Sequence, residues 1–230
     1  MRTVLFVGAG RYQLAAIRRA KALGHRVAAV DRNPDAPGFA DADVGRVVDF
    51  ADIEATLAAV ADLEIDGVLT VQSDRAVPIV AALAEALGLP GIGAETARLM
   101  TDKVAMRHRL AATGVPQPRF TTLRGPDEAE RAVAEVGLPA VLKPADASGQ
   151  KGVCRIESAG EIRRRWEETK AASPSGDVLL EQLVDGVEMN GIVVSSAGEP
   201  LVVVLCDRLR PPGESFGISW IHLYPASVAG

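Results

Sequence analysis

The first 87 residues alternate short apolar runs with helical patterns, and this alternation restricts the possible folds more than any other feature of the sequence. Strands are predicted at Val4–Val7, Val27–Val30, Val47–Phe50 and Gly67–Val71. Helices are predicted between them, at 13–23, 52–63 and 76–87. Alternation of this kind produces right-handed βαβ units around a parallel sheet that is covered on both faces. Residues 1–98 are therefore predicted to form a Rossmann-like α/β domain.

The turn after the first predicted strand resembles a dinucleotide-binding fingerprint. It reads "GAGRYQ" from Gly8 to Gln13, and Asp31 ends the second predicted strand, where an acid can bond a ribose hydroxyl. Gln13 stands where a third glycine would allow the helix to pack closely on the strand. We favour a Rossmann-like scaffold without a nicotinamide cofactor, and an NAD(P)-dependent oxidoreductase stays open as the alternative.

A second candidate anion-binding segment is "VLKPADASGQKGV", from Val141 to Val153. Proline cannot donate to a ladder, so Lys143-Pro144 is predicted to end a strand. The glycine-rich segment that follows can fold its N–H groups and a lysine over an anion such as a polyphosphate. The alternative is an ordinary hairpin with a solvated lysine.

Lys103 lies in the first turn of another predicted helix, which Asp102 is expected to cap. A cation at this position is unfavourable to the helix dipole, and this small cost suggests that Lys103 serves another purpose. An exposed lysine at a helix start is, however, common.

Composition excludes several classes of protein. The 230 residues carry a net charge of -5, which leaves no general basic surface for nucleic acid. No apolar run reaches 18 residues, so no membrane span is predicted. The two cysteines, Cys154 and Cys206, indicate neither a disulfide framework nor a zinc site, and a reducing cytoplasm is expected. The three histidines have no metal-ligand spacing; they are His25, His108 and His222.

In chain order, the Rossmann-like domain leads into "TDK", a strand ending in Lys-Pro, a glycine loop and "EQLVDGVE". This order resembles the ATP-grasp superfamily, which includes biotin carboxylase, the carbamoyl-phosphate synthetase large chain and amino-acid ligases. The resemblance implies a pre-ATP-grasp domain at 1–98 and an incomplete α+β ATP-grasp domain at 99–230. Within the latter it implies a small lobe at about 118–184 and the start of a second lobe at 185–230.

The resemblance also implies roles for individual residues. Two lysines, Lys103 and Lys143, would contact the nucleotide phosphates, and a loop would close over the β and γ phosphates, formed by Ser148, Gly149, Gln150, Lys151 and Gly152. The adenine edge would meet Glu181 and the backbone of two residues, Gln182 and Leu183. Glu188 would bind the ribose, because a carboxylate accepts from two vicinal hydroxyls. Taken alone, Glu181 is more typical of a half-exposed strand residue, and Glu188 is more typical of a carboxylate at a turn exit.

The C-terminal part departs from the family pattern. Family members carry a Glu and then a Glu-x-Asn that hold magnesium against the phosphates, whereas no acid follows Glu214 here. Glu188-Met189-Asn190 matches the motif in letters, but it starts the strand after the adenine segment. The metal ligands are therefore expected beyond residue 230. The chain is interpreted as an N-terminal fragment, inactive alone, or as a non-catalytic ATP-binding module.

The implied reaction is ATP-dependent carboxylate–amine ligation through an acyl-phosphate, with ATP and Mg²⁺ as cofactors. The segment from Asp207 to Val228 is similar to one in amino-acid ligases, where a glycine- or proline-rich loop precedes a strand. Three residues there are candidates for the carboxylate substrate: Arg208, Arg210 and His222. The expected partners are ATP and a small carboxylate, with neither nucleic acid nor membrane, and a homodimer stays open.

Overall fold

The computed structural model describes residues 1–210 and 220–228. The chain divides into two compact units, Met1–Arg109 and Leu110–Gly230, and each is described by itself. The domain and lobe boundaries given above stay predictions. Glu214 and the proline- and glycine-rich loop expected before the last strand lie outside the described residues.

The first unit contains a four-stranded parallel sheet in the order β3-β2-β1-β4. Its strands are β1 Thr3–Val7, β2 Arg26–Asp31, β3 Val44–Val47 and β4 Gly67–Leu69. Its helices are α1 Leu14–Ala22, α2 Ile53–Ala59, α3 Val77–Ala86 and α4 Ala94–Thr101. The two faces of β1 enter different apolar clusters, with Leu5 beside Leu83 of α3 and Phe6 beside Ile17 of α1. The predicted α/β architecture is confirmed.

The predicted third strand is displaced by three residues. It was expected at Val47–Phe50 and lies at Val44–Val47. The neighbouring strand β2 ends at Asp31, which pairs with Val47, so the ladder has no partner beyond that point. Val48 and Phe50 instead pack, partly buried, against the apolar cluster on one face of the sheet.

The second unit begins with a four-stranded antiparallel sheet in the order β5-β8-β6-β7. Helix α5 (Lys103–Ala112) precedes it. The strands are β5 Phe120–Leu123, β6 Ala140–Pro144, β7 Cys154–Ile156 and β8 Val178–Gln182, and the helices are α6 Ala129–Val136 and α7 Ala159–Ala171. Leu142 and Leu180 pack with Trp166 of α7 in one buried cluster. Successive side chains of a strand point to opposite faces, so Lys143 and Glu181 lie on the face away from that cluster.

A three-stranded antiparallel sheet follows, in the order β11-β10-β9. The strands are β9 Met189–Ser196, β10 Glu199–Leu209 and β11 Ile221–Leu223. Ala197 and Gly198 both have positive φ, at 51° and 85°, which confirms the predicted two-residue turn. Apolar side chains of β9 and β10 are exposed, among them Val193, Val194, Leu201, Val202 and Val203. Among the described residues, every helix is too short or too polar to cross a membrane.

Candidate functional site

An ion pair between β6 and β8 lies at the centre of the second unit's candidate site. The Lys143 Nζ lies 2.6 Å from the Glu181 Oε2, and the two side chains are 16% and 6% exposed. The register pairs Lys143 with Leu179 and Val141 with Glu181, so the two charged residues are diagonal neighbours on one face of the sheet. The two residues that the resemblance assigned to phosphate and to adenine are therefore in direct contact.

The loop between β6 and β7 is anchored at both ends. At its start, the Asp146 carboxylate accepts from the Ser173 hydroxyl at 2.6 Å and from the Ser175 N–H at 2.9 Å. At its end, the Thr169 hydroxyl donates to the Gly152 carbonyl at 3.0 Å. All three partners belong to the C-terminal end of α7 or follow directly after it. These hydrogen bonds therefore hold both ends of the loop to the C-terminal end of α7 and the residues that follow it.

Between these anchors the loop is exposed from Ser148 to Lys151. Gly149 and Gln150 have φ of +70° and +63°, a backbone conformation that favours glycine. Gly152 also has positive φ, and a Cβ at this position would lie 2.8 Å from the Cβ of Ala172. The end of the loop therefore requires glycine, because its backbone passes close to α7. This arrangement suits a short lid with fixed ends.

The segment after β8 lines an open cavity of about 300 Å³. Its lining includes Leu183, Val184, Asp185, Gly186, Glu188, Arg155, Arg208 and Arg210. The N–H of Gln182 donates to the Arg119 carbonyl at 2.8 Å, and the N–H of Leu183 donates to the Pro139 carbonyl at 3.1 Å. Any base contact through the backbone of these two residues must therefore use their carbonyl oxygens. The amino group of adenine is a donor that fits such carbonyls.

Glu188 bonds both arginines that were predicted to face a carboxylate substrate. Its Oε1 accepts from Arg208, and its Oε2 accepts from Arg210. His222 on β11 lies directly opposite Arg208 in the ladder, with an exposed side chain. A carboxylate has about four lone-pair sites, so Glu188 can accept further bonds while both arginines hold it.

Lys103 is the first residue of α5, and it belongs to the first unit, whereas every other predicted site residue belongs to the second. The Asp102 carboxylate accepts from the N–H groups of Val104 and Ala105, at 2.9 and 3.1 Å, which confirms the predicted cap.

Sequence reasoning missed the loop anchors and part of the cavity lining. Asp146 carries a local signal, since an aspartate that follows a strand and precedes glycines is typical of a turn. Ser173 carries none, because its contact with Asp146 joins positions 27 residues apart. Arg155 likewise reaches the cavity only through the register of the strands, whereas Val184 directly follows the predicted residue Leu183. Burial raises the pKa of the Cys154 thiol after the loop, so this thiol stays protonated at neutral pH.

The turn of the first unit that resembles a dinucleotide fingerprint is filled by protein atoms. Gln13 is 6% exposed, and its side chain donates from Nε2 to the Val71 carbonyl at 2.6 Å. A Cβ on Gly10 would lie 3.2 Å from the Gln13 Oε1. Asp31 accepts from the N–H groups of Ala9 and Asn33, at 2.8 and 2.9 Å, so backbone groups already bond both of its oxygens. These contacts support a scaffold role for the turn.

Two family models match the chain. The model of the ATP-grasp N-terminal domain matches residues 17–91, and the model of the ATP-grasp domain matches residues 108–205. A curated relative, formate-dependent phosphoribosylglycinamide formyltransferase of Burkholderia cenocepacia, is 30% identical over 188 residues. The match covers 79% of this chain and 46% of the relative. The chain thus spans about half the length of the curated relatives it matches.

Two solved structures show a similar fold. The ADP complex of an N5-carboxyaminoimidazole ribonucleotide synthetase matches with a TM-score of 0.81 and 20% identity, over 99% of this chain and 58% of that one. The biotin carboxylase domain of 2-oxoglutarate carboxylase from Hydrogenobacter thermophilus, with MgADP and bicarbonate, matches with a TM-score of 0.66 and 22% identity. That match covers 82% of this chain and 45% of the domain.

Proposed function

The chain belongs to the ATP-grasp superfamily, and from this premise we propose that it carries the nucleotide-binding part of an ATP-dependent carboxylate–amine ligase. The observation that carries the proposal is the connection between β6 and β7. A largely buried lysine lies one residue before the end of β6, and the glycine loop that follows is exposed in the middle and anchored at both ends. A lysine and a glycine-rich backbone are what a polyphosphate requires of a protein.

In the proposed reaction, a substrate carboxylate oxygen attacks the γ-phosphorus of ATP, which forms an acyl-phosphate and releases ADP. An amine then attacks the acyl carbon, phosphate leaves with the bonding electron pair, and an amide forms with loss of a proton from nitrogen. Phosphoryl transfer needs positioning and charge neutralisation more than covalent chemistry by the protein. Lys143 and the loop from Ser148 to Gly152 are proposed to supply both at the phosphates. The predicted contact between Lys103 and a phosphate stays a prediction.

For the base and the sugar, the proposal uses the cavity after β8. The carbonyls of Gln182 and Leu183 are proposed to accept from the amino group of adenine. Glu188 is proposed to accept from the ribose hydroxyls while Arg208 and Arg210 fix its orientation. Because both arginines already bind a carboxylate of the protein, their contacts support this role more directly than the predicted contact with a substrate carboxylate.

Magnesium is the cofactor that the family implies, and hard carboxylate oxygens are its usual protein ligands. Within residues 1–210 and 220–228, no group of three or more His, Cys, Asp or Glu side chains is placed to hold a metal ion. Among these residues there is therefore no ready-made protein cage for magnesium, which commonly takes only one or two carboxylates together with substrate phosphates. The ligands expected beyond residue 230 stay a prediction.

The proposal is tested by calorimetric titration of the chain with ADP and with ATP. Lys143→Ala should weaken binding by about 1.5–3 kcal/mol, because it removes a charge-assisted contact to phosphate. Lys143→Met keeps most of the buried stem and serves as a second variant if the alanine form is poorly folded. Lys170→Ala is the matched control, since it removes an exposed lysine from α7 of the same unit. Unchanged affinity in folded Lys143 variants would contradict the assignment.

A further inference from the structure

The charges that line the cavity after β8 indicate which part of a ligand it suits. Three arginines line it: Arg155, Arg208 and Arg210. Arg155 donates to Glu157 at 2.7 Å, and the other two donate to Glu188. The lining contains a further acid, Asp185. Three acids thus match the three cations, so this wall of the cavity complements an uncharged, hydroxyl-bearing group better than an anion.

Two of these arginines bind one carboxylate by both of its oxygens. Arg208 donates to the Glu188 Oε1, and Arg210 donates from its Nε to the Glu188 Oε2 at 2.5 Å. A glutamate side chain has several rotatable bonds, and it loses much rotamer freedom when its carboxylate is fixed. Bonds to both oxygens supply that restraint before any ligand binds, so the plane of the Glu188 carboxylate is set by the protein.

The two arginines differ in how firmly their own positions are fixed. Arg208 lies in β10, and its N–H donates to the Glu188 carbonyl at 3.0 Å, which continues the ladder between β9 and β10. Its side chain is 25% exposed, whereas the Arg210 side chain, after the end of the strand, is 46% exposed. A guanidinium is a rigid planar fork, so a fixed backbone gives it a defined direction. Arg208 is therefore the firmer support of the carboxylate.

A ribose presents the donors that such a carboxylate can recognise. Its 2′- and 3′-hydroxyls are vicinal, and one carboxylate can accept from both if its oxygens lie in a suitable plane. A 2′-deoxyribose lacks one of these donors, and a site built to bond a hydroxyl rejects the analogue that lacks it. The orientation of the Glu188 carboxylate therefore matters more for a ribonucleotide than for a deoxyribonucleotide.

From this geometry we infer that Arg208 is a positioning residue that orients the Glu188 carboxylate so that the site selects a ribonucleotide over a 2′-deoxyribonucleotide. The inference rests on the proposed function, because it takes Glu188 to be the acceptor for the ribose. It adds the residue that sets the selectivity for the sugar. The effect of Arg208 then passes through Glu188 and depends on the 2′-hydroxyl of the ligand, and the phosphates do not change it.

The test compares ADP with 2′-deoxy-ADP by calorimetric titration of the chain and its variants. The variants are Arg208→Met, Arg208→Lys, Glu188→Gln, the double variant Arg208→Met with Glu188→Gln, and Arg165→Met. Arg208→Lys keeps a charge but not the planar fork, and it serves as a second variant if the methionine form is poorly folded. Arg165→Met is the control, since it removes an exposed arginine from an ion pair on α7 of the same unit. Circular dichroism and the melting temperature establish that each variant is folded.

The unsubstituted chain is expected to bind ADP at least about tenfold more tightly than 2′-deoxy-ADP, as for a hydrogen bond to a charged group. Both Arg208 variants should lower that ratio to about threefold or less, because ADP loses a well-placed acceptor. Their affinity for 2′-deoxy-ADP should stay within about twofold of the unsubstituted chain. In the Glu188→Gln background, Arg208→Met should cause no further fall in the ratio. Arg165→Met should match the unsubstituted chain for both ligands.

Three results would overturn the inference: an unchanged ratio in folded Arg208 variants, equal losses for ADP and 2′-deoxy-ADP, or a further fall of the ratio in the double variant. Equal losses would assign Arg208 to a part of the nucleotide other than the 2′-hydroxyl. If the unsubstituted chain bound both ligands equally, the ribose role of Glu188 would fail, and the inference with it. If it bound neither ligand, the proposed function itself would fail. The last two results differ from the first three because they appear without any substitution.

Discussion

At the residue scale, Gly152 is the loop position at which a side chain is least tolerated. It combines a φ of +65° with a close approach to α7, so alanine would be strained and would also collide with Ala172. Gly149 has a similar φ of +70°, but a Cβ there would meet no atom within 4 Å. An alanine at Gly149 therefore introduces backbone strain alone, whereas an alanine at Gly152 introduces backbone strain and a steric conflict.

Gly149→Ala is expected to lower the free energy of unfolding by about 1 kcal/mol through backbone strain alone. Gly152→Ala should lower it by about 1–3 kcal/mol more, because neighbouring atoms must also move. The measurement is chemical denaturation followed by tryptophan fluorescence. Both tryptophans, Trp166 and Trp220, belong to the second unit, so the signal reports on that unit. Equal losses in the two variants would contradict the close packing at Gly152.

The sequence allowed the site residues to be predicted, but it did not allow their contacts with one another to be predicted. Lys143 and Glu181 were both named as site residues because each lies in a recognisable segment. Their ion pair joins positions 38 residues apart, and it depends on the register of two strands that are separated in the chain by a loop, a strand and a helix. No local pattern specifies that register, so the pairing required the structure.

At the scale of elements, the loop between β6 and β7 was predicted as a phosphate lid, and the structure adds its supports. Asp146 bonds Ser173 and Ser175, which follow α7. Asp146→Ala removes both bonds and should raise amide hydrogen exchange between 146 and 152, because the start of the loop loses its anchor. It should also weaken ADP binding, since a looser loop loses more entropy when it orders on the ligand.

Exchange rates by mass spectrometry and calorimetric affinities test this prediction. Glu168→Ala is the control, as it removes an exposed carboxylate from α7 that pairs with Arg165 and takes no part in the anchors. Equal exchange in the Asp146 variant and the control would show that the loop does not depend on this anchor.

Most of the helices and strands were predictable because turn-forming and capping residues mark where they begin and end. The turn at Ala197-Gly198 and the helix that begins after Asp102 follow from turn and capping residues. The displaced strand β3 shows the limit of such reasoning. The valines at 47 and 48 favour a strand by propensity, but the end of β2 at Asp31 decides where pairing stops.

At the scale of the whole molecule, the chain offers two nucleotide-binding candidates, one in each unit. The glycine turn of the first unit is closed by the Gln13 side chain and by the Gly38 N–H, which donates to the Ala9 carbonyl at 2.7 Å. The glycine loop of the second unit is exposed between its anchors. From sequence, the missing third glycine already disfavoured a cofactor at the turn of the first unit. The bonds that fill the turn could not be predicted, since they come from residues far apart in the chain.

The glycine loop of the second unit is therefore the part of the chain that we propose to bind the nucleotide. Hydrogen exchange of the chain with and without saturating ADP and magnesium tests this proposal most directly. We predict slower exchange at 149–153 and unchanged exchange at 8–11, because the loop orders on the phosphates while the turn keeps its scaffold role. Protection at 8–11 without protection at 149–153 would instead place the nucleotide in the first unit.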